Sequence, residues 1–287
     1  MKRIINFLFW FWGFQSNNPK KEYVPIKPPE SFNTSDSLFN HNKRLTDQET
    51  NILVGIAEFC MANDEYENAL SCYNILINNS DPCSSYYVNR ALIYDNLTEF
   101  SKSIEDIRIA IELDPDNAAY YWILGGYFVS NEMVLHGKLT DPSSKQALQN
   151  AANNYKISLQ KDPTNECGWL DMIEINLLTK RWDDAICTFG ACKTYINYLP
   201  YKLIRSFLGG LALIINGEEV DSEDMANMNN KSIRITNDIY RGCEIESLIT
   251  DLEVTELVYS RTCQAKEYYK LFLSHYDGEL RRYGNRG

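Results

Sequence analysis

Basic charge, histidine and paired cysteine motifs are what this sequence has least of. Its 287 residues carry 28 Lys or Arg against 39 Asp or Glu, a net charge of −11 with a pI near 4.9. That argues against nucleic acid as a partner, because neutralising phosphates needs a basic footprint. His41, His136 and His275 stand far apart in sequence, and the eight cysteines include no Cys-x-x-Cys. Zinc spacings and redox dithiol motifs are therefore missing, and no metal is expected. Cys60, Cys72, Cys187 and Cys192 fall within predicted helices, where free cysteine behaves as a small hydrophobe. Reduced thiols in a reducing compartment follow, rather than a disulfide framework.

Catalytic motifs are also missing. There is no phosphate-binding glycine loop, no Ser or Cys nucleophile motif and no His-Glu metal helix. Gly125-Gly126 and Gly209-Gly210 lie inside helical patterns. Asp183-Asp184 and Asp114-Pro115-Asp116 sit at helix starts and ends, where capping or solvated carboxylates are ordinary. The expectation is no enzyme and no cofactor.

A long apolar run is absent as well. Ile4 to Phe14 is shorter than the roughly 20 residues a bilayer span needs. Behind Lys2-Arg3 this aromatic stretch has the charged start of a secretory signal but no small-x-small cleavage site. Residues 1–14 fit three roles: docking on the protein's own apolar surface, interfacial membrane contact, or a signal or short anchor. Residues 15–46, with prolines at 19, 25, 28 and 29, read as an extended linker.

What is present is helical periodicity. Tyr87, Ala91 and Tyr94 share one face, a turn follows at Asp95 to Glu99, and Ile104, Ile107, Ala110 and Ile111 mark a second helix that starts near Phe100 and is stopped by Pro115. The preceding unit has Leu53, Ile56, Ala57 and Cys60, a turn at Ala62 to Glu65, then Tyr66, Ala69, Tyr73 and Leu76 before Asp81-Pro82. A third pairs Tyr121, Leu124, Gly125 and Phe128 with Ala147, Ala151, Tyr155 and Leu159 across an insert at Ser130 to Ser144, expected to extend a helix and loop back. A fourth has Trp169, Met172 and Ile173, a turn at Thr179 to Arg181, then Trp182, Ala185, Ile186, Phe189 and Cys192, with Pro200 beyond.

The pattern then loosens. Tyr201 to Ile215 reads as an apolar helix. Asn216 to Lys231 reads as a loop or poor helix, and Ser232 to Tyr240 as a helix rather than a short strand. Glu244 to Tyr276 reads as a long helix or helix pair capping the stack. The expected organisation is 1–14, 15–46, about four repeats over 47–200, and degenerate capping helices over 201–287.

The landmarks Tyr87, Arg90-Ala91, Tyr94, Ser103, Ile107, Ala110 and Pro115 resemble the tetratricopeptide repeat, as do Trp169, Met172-Ile173, Ala185, Phe189 and Cys192, and the pair Leu124-Gly125. The resemblance implies an all-α, right-handed α-solenoid of helix-turn-helix repeats, and a cytoplasmic protein–protein interaction scaffold. Co-chaperone members of that family clamp a terminal carboxylate. Asn89 matches one clamp position, but Val54, Glu58, Ala119 and Ile123 occupy the other four, so chaperone-tail capture is not expected. First-helix faces instead place Val54, Glu58, Val88, Asn89, Leu92, Trp122, Ile123, Leu170, Asp171 and Glu174 along a concave groove. Apolar with carboxylates, it suits a peptide or partner with basic and aromatic residues, the chain's own Lys2-Arg3 start among the candidates. The alternatives are a peripheral membrane adaptor anchored by residues 1–14, or a structural subunit of a larger assembly.

Overall fold

The computed structural model describes residues 44–136, 139, 142–235, 245, 248–249 and 259–276. The expectations for residues 1–14 and for 15–43 lie outside them. The chain divides into two compact units, Met1–Tyr120 and Tyr121–Gly287.

In the first unit, helix α1 (Asp47–Ala62) opens on a reciprocal cap. The Thr46 amide donates to Glu49 Oε2 at 2.7 Å, and the Glu49 amide donates to Thr46 Oγ1 at 3.3 Å. Two amides that a helix start leaves without intrahelical partners are thereby satisfied. Leu53, Ile56, Ala57 and Cys60 recur at threes and fours and are all buried. They pack on α2 (Tyr66–Asn79), where Ala69, Tyr73 and Leu76 are fully enclosed. Helices α3 (Ser84–Asn96) and α4 (Phe100–Leu113) repeat the hairpin, and α3 also packs on α2. Ala91 lets α4 approach closely, so that Ser103 Oγ donates to the Ala91 carbonyl at 3.0 Å. Arg90, beside Ala91 on α3, is an ionic hub. Its guanidinium donates twice to Asp106 on α4, at 2.8 and 2.6 Å, and once to Asn74 on α2 at 2.7 Å. A bidentate guanidinium–carboxylate pair with Asp106 almost enclosed fixes the orientation of α3 on α4.

The hairpin turns share one backbone device. Asp64, Thr98 and Lys180 have φ of 60°, 61° and 56°. In each case the next amide reaches back to a carbonyl five residues earlier: Glu65 to Cys60, Glu99 to Tyr94 and Arg181 to Asn176, all at 2.8 Å. A left-handed residue after the helix lets the chain satisfy the last carbonyls and reverse. Asp64 and Thr98 are 34 residues apart, one repeat period. Thr98 is β-branched in a conformation that suits glycine. Thr98→Gly is expected to raise the unfolding free energy by about 1 kcal/mol in urea titrations; a destabilised variant would show that the threonine side chain is needed there.

In the second unit, α5 (Ala118–His136), whose first three residues close the first unit, crosses α6 (Lys145–Lys161). The crossing is close: a Cβ on Gly125 would lie 2.6 Å from Tyr155 Cε1. The insert extends α5 to His136, as expected, and a 3-10 turn follows at Pro142–Ser144. Helices α7 (Glu166–Leu178) and α8 (Trp182–Ala191) form the next hairpin, followed by a 3-10 turn at Cys192–Thr194. Helix α9 (Leu199–Asn216) then packs on α7, α8, α10 (Ser222–Asn229) and α11 (Tyr259–Leu273).

Pro200, beyond the fourth unit, occupies the first turn of α9, where its missing N–H has no helical partner to lose. Three expectations need correction. Asn216 to Lys231 contains the ordered helix α10, because the Asp221 side chain accepts from the Asp224 amide at 2.8 Å and caps it. Ser232 to Ile235 is not helical. The Ile235 amide donates to the His275 carbonyl at 2.9 Å, and Ile235 bridges Tyr276, which has therefore left the helical stripe. Cys187 is exposed rather than packed, and Cys192 caps α8 instead of continuing it. Between Ile235 and α11 the capping region is described only at Ile245, Leu248 and Ile249, all buried in the second unit's core.

That core centres on Phe207 of α9, stacked on Phe272 of α11 with centroids 3.9 Å apart and interplanar angle 5°. His275 is almost fully enclosed beside it. Its Nδ1 lies 3.1 Å from the Ile233 carbonyl and its Nε2 2.8 Å from the Met228 carbonyl, tying the end of α10 to the segment after α11.

Candidate functional site

The first-helix faces carry the candidate residues, five in each unit. In the first unit, Val54 and Glu58 are one turn apart on α1, as Val88 and Leu92 are on α3 beside Asn89. Val88 and Leu92 are buried and form a floor. Val54, Glu58 and Asn89 are half-buried and form the accessible part. Helix α2 lies against both α1 and α3 and sends Tyr73 between them.

Electrostatically this is an unusual place for a carboxylate. Burial pushes the Glu58 carboxyl above its ordinary range. Glu58 has no cationic partner among the described residues; ion pairs of this unit include Arg44–Asp81, Arg90–Asp106 and Lys102–Glu99. Tyr73, fully enclosed, has its phenol pushed up, first by burial and then by Glu58. The Asn89 amide is near enough to act on that phenol in the opposite sense, yet the Tyr73 hydroxyl makes no hydrogen bond of normal geometry. Cys72 and Tyr86 are its other electrostatic neighbours. Helix phase marks Glu58 and Asn89 in the sequence; Tyr73 reads there only as one more apolar position, since periodicity does not see a hydroxyl.

In the second unit, Ile123 and Leu170 are buried, while Trp122, Asp171 and Glu174 are half-buried. Trp122 Nε1 on α5 donates to Asp171 Oδ2 on α7 at 2.7 Å. The bond holds the indole against the α7 face, leaving an amphipathic ring with its polar edge satisfied. Next to this face, Trp169 stacks on Tyr195 at 5.5 Å, and Tyr198 meets Tyr201 edge to face at 5.0 Å.

Burial pushes the Cys60 thiol up to about 11, and the Cys72, Cys167 and Cys192 thiols to about 12, far from thiolate nucleophiles at neutral pH. No three His, Cys, Asp or Glu side chains among the described residues gather as metal ligands. No described helix is long and apolar enough to cross a membrane.

Comparison with known proteins gives the following. No family model matches the chain. Over 61 residues it is 39% identical to the small glutamine-rich tetratricopeptide repeat-containing protein of Dictyostelium discoideum, a match spanning 21% of this chain and 18% of that relative. Among solved structures, MamA superposes with a TM-score of 0.49 at 16% identity, covering 62% of this chain and 87% of that one. A tetratricopeptide repeat protein from Parabacteroides merdae gives 0.49 at 15% identity, covering 79% and 86%. YrrB, described as a TPR protein with an unusual peptide-binding site, gives 0.48 at 11% identity, covering 75% and 91%. The chain is all-α and TPR-like, as its repeated hairpins and their shared turn geometry require.

Proposed function

We propose that the chain is a non-enzymatic protein–protein interaction scaffold that binds an extended peptide segment of a partner along the inner faces of its hairpins. The observation that carries this reading is Glu58: a half-buried carboxylate with no cation beside it, set among apolar side chains. A desolvated carboxylate left without a partner is costly in isolation and is compensated by an incoming positive charge. Val54 and Asn89 beside it, and Trp122, Asp171 and Glu174 on the other unit, supply mixed apolar and acceptor surface of the kind that takes basic, aromatic peptide. The buried Val88, Leu92, Ile123 and Leu170 support these faces from below.

An array of immobilised synthetic peptides, probed with the full chain, tests this. Peptides combining basic and aromatic residues are expected to be retained over acidic ones, and Glu58→Arg is expected to reverse that order in the first unit's share of binding. Indifference to peptide charge, or preference for acidic peptides, would reject the reading. If the chain instead floats with anionic vesicles through residues 1–14 and retains no peptide, the membrane adaptor takes its place.

A further inference from the structure

The Tyr73 hydroxyl is a fully enclosed polar group without a hydrogen bond of normal geometry, and Glu58 and Asn89, two half-buried acceptors of the first unit's first-helix faces, both act on it. Folded proteins satisfy such groups almost without exception, so one left open beside a binding face calls for an explanation. Glu58 and Asn89 approach it from α1 and α3, on either side of α2. Both are half-buried, and Glu58 is in none of the ion pairs Arg44–Asp81, Arg90–Asp106 and Lys102–Glu99.

We propose that Glu58 and Asn89, oriented from below by Tyr73, form a socket for the primary ammonium of a lysine side chain on a partner peptide. This deepens the scaffold reading and rests on it. An ammonium carries three N–H donors and no acceptor. The Glu58 carboxylate and the Asn89 Oδ1 take two of them and are drawn together over the phenol. The Tyr73 O–H then finds an acceptor in the carboxylate, so the group left open in the free protein closes when the ligand arrives. The lysine's aliphatic stem lies against Val54. Arginine fits less well, because its planar fork is matched by a carboxylate presented edge-on, and a second acceptor from another helix breaks that plane. A peptide's terminal carboxylate is repelled by Glu58. Tyr73 is thus a positioning residue, and its hydroxyl is kept for the ligand at the expense of the free fold.

Titration follows with a definite sign. The ligand binds the carboxylate form of Glu58, whose pKa burial has raised. Affinity for a lysine peptide therefore falls on acidification, and begins to fall at a higher pH than an exposed carboxylate would give. Tyr73, on which Glu58 acts, has Cys72 of α2 and Tyr86 of α3 as its other electrostatic neighbours, and phenols and thiols carry no charge in the acidic range.

The test uses the full chain and four acetylated, amidated pentapeptides, each with one central residue between two phenylalanines: lysine, Nε-acetyl-lysine, norleucine or arginine. Fluorescence anisotropy is expected to show the lysine peptide bound about tenfold tighter than its acetylated and norleucine forms, a gap that Glu58→Gln abolishes. Tyr73→Phe is expected to narrow the gap while raising the melting temperature, since it removes an unsatisfied hydroxyl; a purely structural tyrosine would do the reverse. Asn89→Ala supplies an independent variant if Tyr73→Phe fails to fold. Equal binding of lysine and acetyl-lysine peptides overturns the socket and leaves the scaffold standing. Binding of none of the four, together with charge-indifferent peptide arrays, overturns both.

Discussion

Asp224→Ala is expected to lower the unfolding free energy by about 3–5 kcal/mol, the range for stranding one member of a buried ion pair. Arg205 on α9 and Asp224 on α10 are both nearly fully enclosed, at 3% and 1% side-chain exposure, and their charged atoms meet at 2.6 Å. The same carboxylate oxygen accepts from Ser206 Oγ at 2.6 Å, and Ser206 in turn accepts from Asn227 at 3.1 Å. Arg205 also lies over the Phe189 ring at 5.1 Å. Burial pushes the Asp224 carboxyl up, against the opposing influences of Ser206 and Arg205. Removing the carboxylate leaves a guanidinium in an apolar setting with one ring face and no counter-charge. Asp224→Asn keeps the shape and the Ser206 contact, so its loss should be smaller. Replacing both partners, Arg205→Met with Asp224→Leu, should recover most of the stability, because the desolvation of both charges disappears together. Urea unfolding followed by tryptophan fluorescence reads this directly, since Trp122, Trp169 and Trp182 all belong to the same unit as the pair. A single-variant loss below about 0.5 kcal/mol would mean that apolar packing alone fixes α10 on α9.

The pair was not legible in the sequence, and the reason is physical. An acidic stretch such as Glu218 to Asp224 reads as solvated, because burying a carboxylate is unfavourable unless a partner from elsewhere in the chain compensates it. Asp106 escaped notice in the same way: its helix phase is clear, but its guanidinium partner sits sixteen residues away. The hairpins themselves were legible almost to the residue, at Phe100 for the start of α4 and at Thr179 to Arg181 for the turn before α8. Their signals are local: apolar spacing along one helix and a reversal that needs a left-handed residue. The Ile235–Tyr276 bridge was not, since it joins positions 41 residues apart through backbone groups that no side-chain pattern announces. The binding faces fall between these cases. Helix phase alone places Glu58, Asn89, Trp122 and Asp171 on first-helix faces. The Trp122–Asp171 bond and the open hydroxyl of Tyr73 emerge only once neighbouring helices are set against one another.

Gly209 and Gly210 make the second large expectation. Two adjacent glycines in the middle of α9 disfavour the helix by about 1 kcal/mol each relative to alanine, so close packing must offset them. They point about 100° apart on the helix and meet different neighbours. A Cβ on Gly209 would overlap the ring of Phe189 on α8, and one on Gly210 would overlap the hydroxyl end of Tyr268 on α11. The two cases differ in how far the neighbour can yield. Phe189 is met near the root of its ring, where moving aside means leaving its rotamer and its place under Arg205. Tyr268 is met at its tip, but that tip donates to the Ser206 carbonyl at 2.9 Å, and displacing it breaks the bond. Gly209→Ala is therefore expected to lose about 1–2 kcal/mol in spite of its better helix propensity, and Gly209→Val about 3 kcal/mol. Gly210→Ala should lose less, with the Tyr268 bond as the larger part. Combining Gly209→Ala with Phe189→Leu should restore most of the loss, a coupling that a double-mutant cycle isolates. Were Gly209→Ala alone to raise stability by about 1 kcal/mol, the residue would be behaving as an ordinary helix glycine, and α8 could not be held as closely on α9 as the Phe189 contact requires.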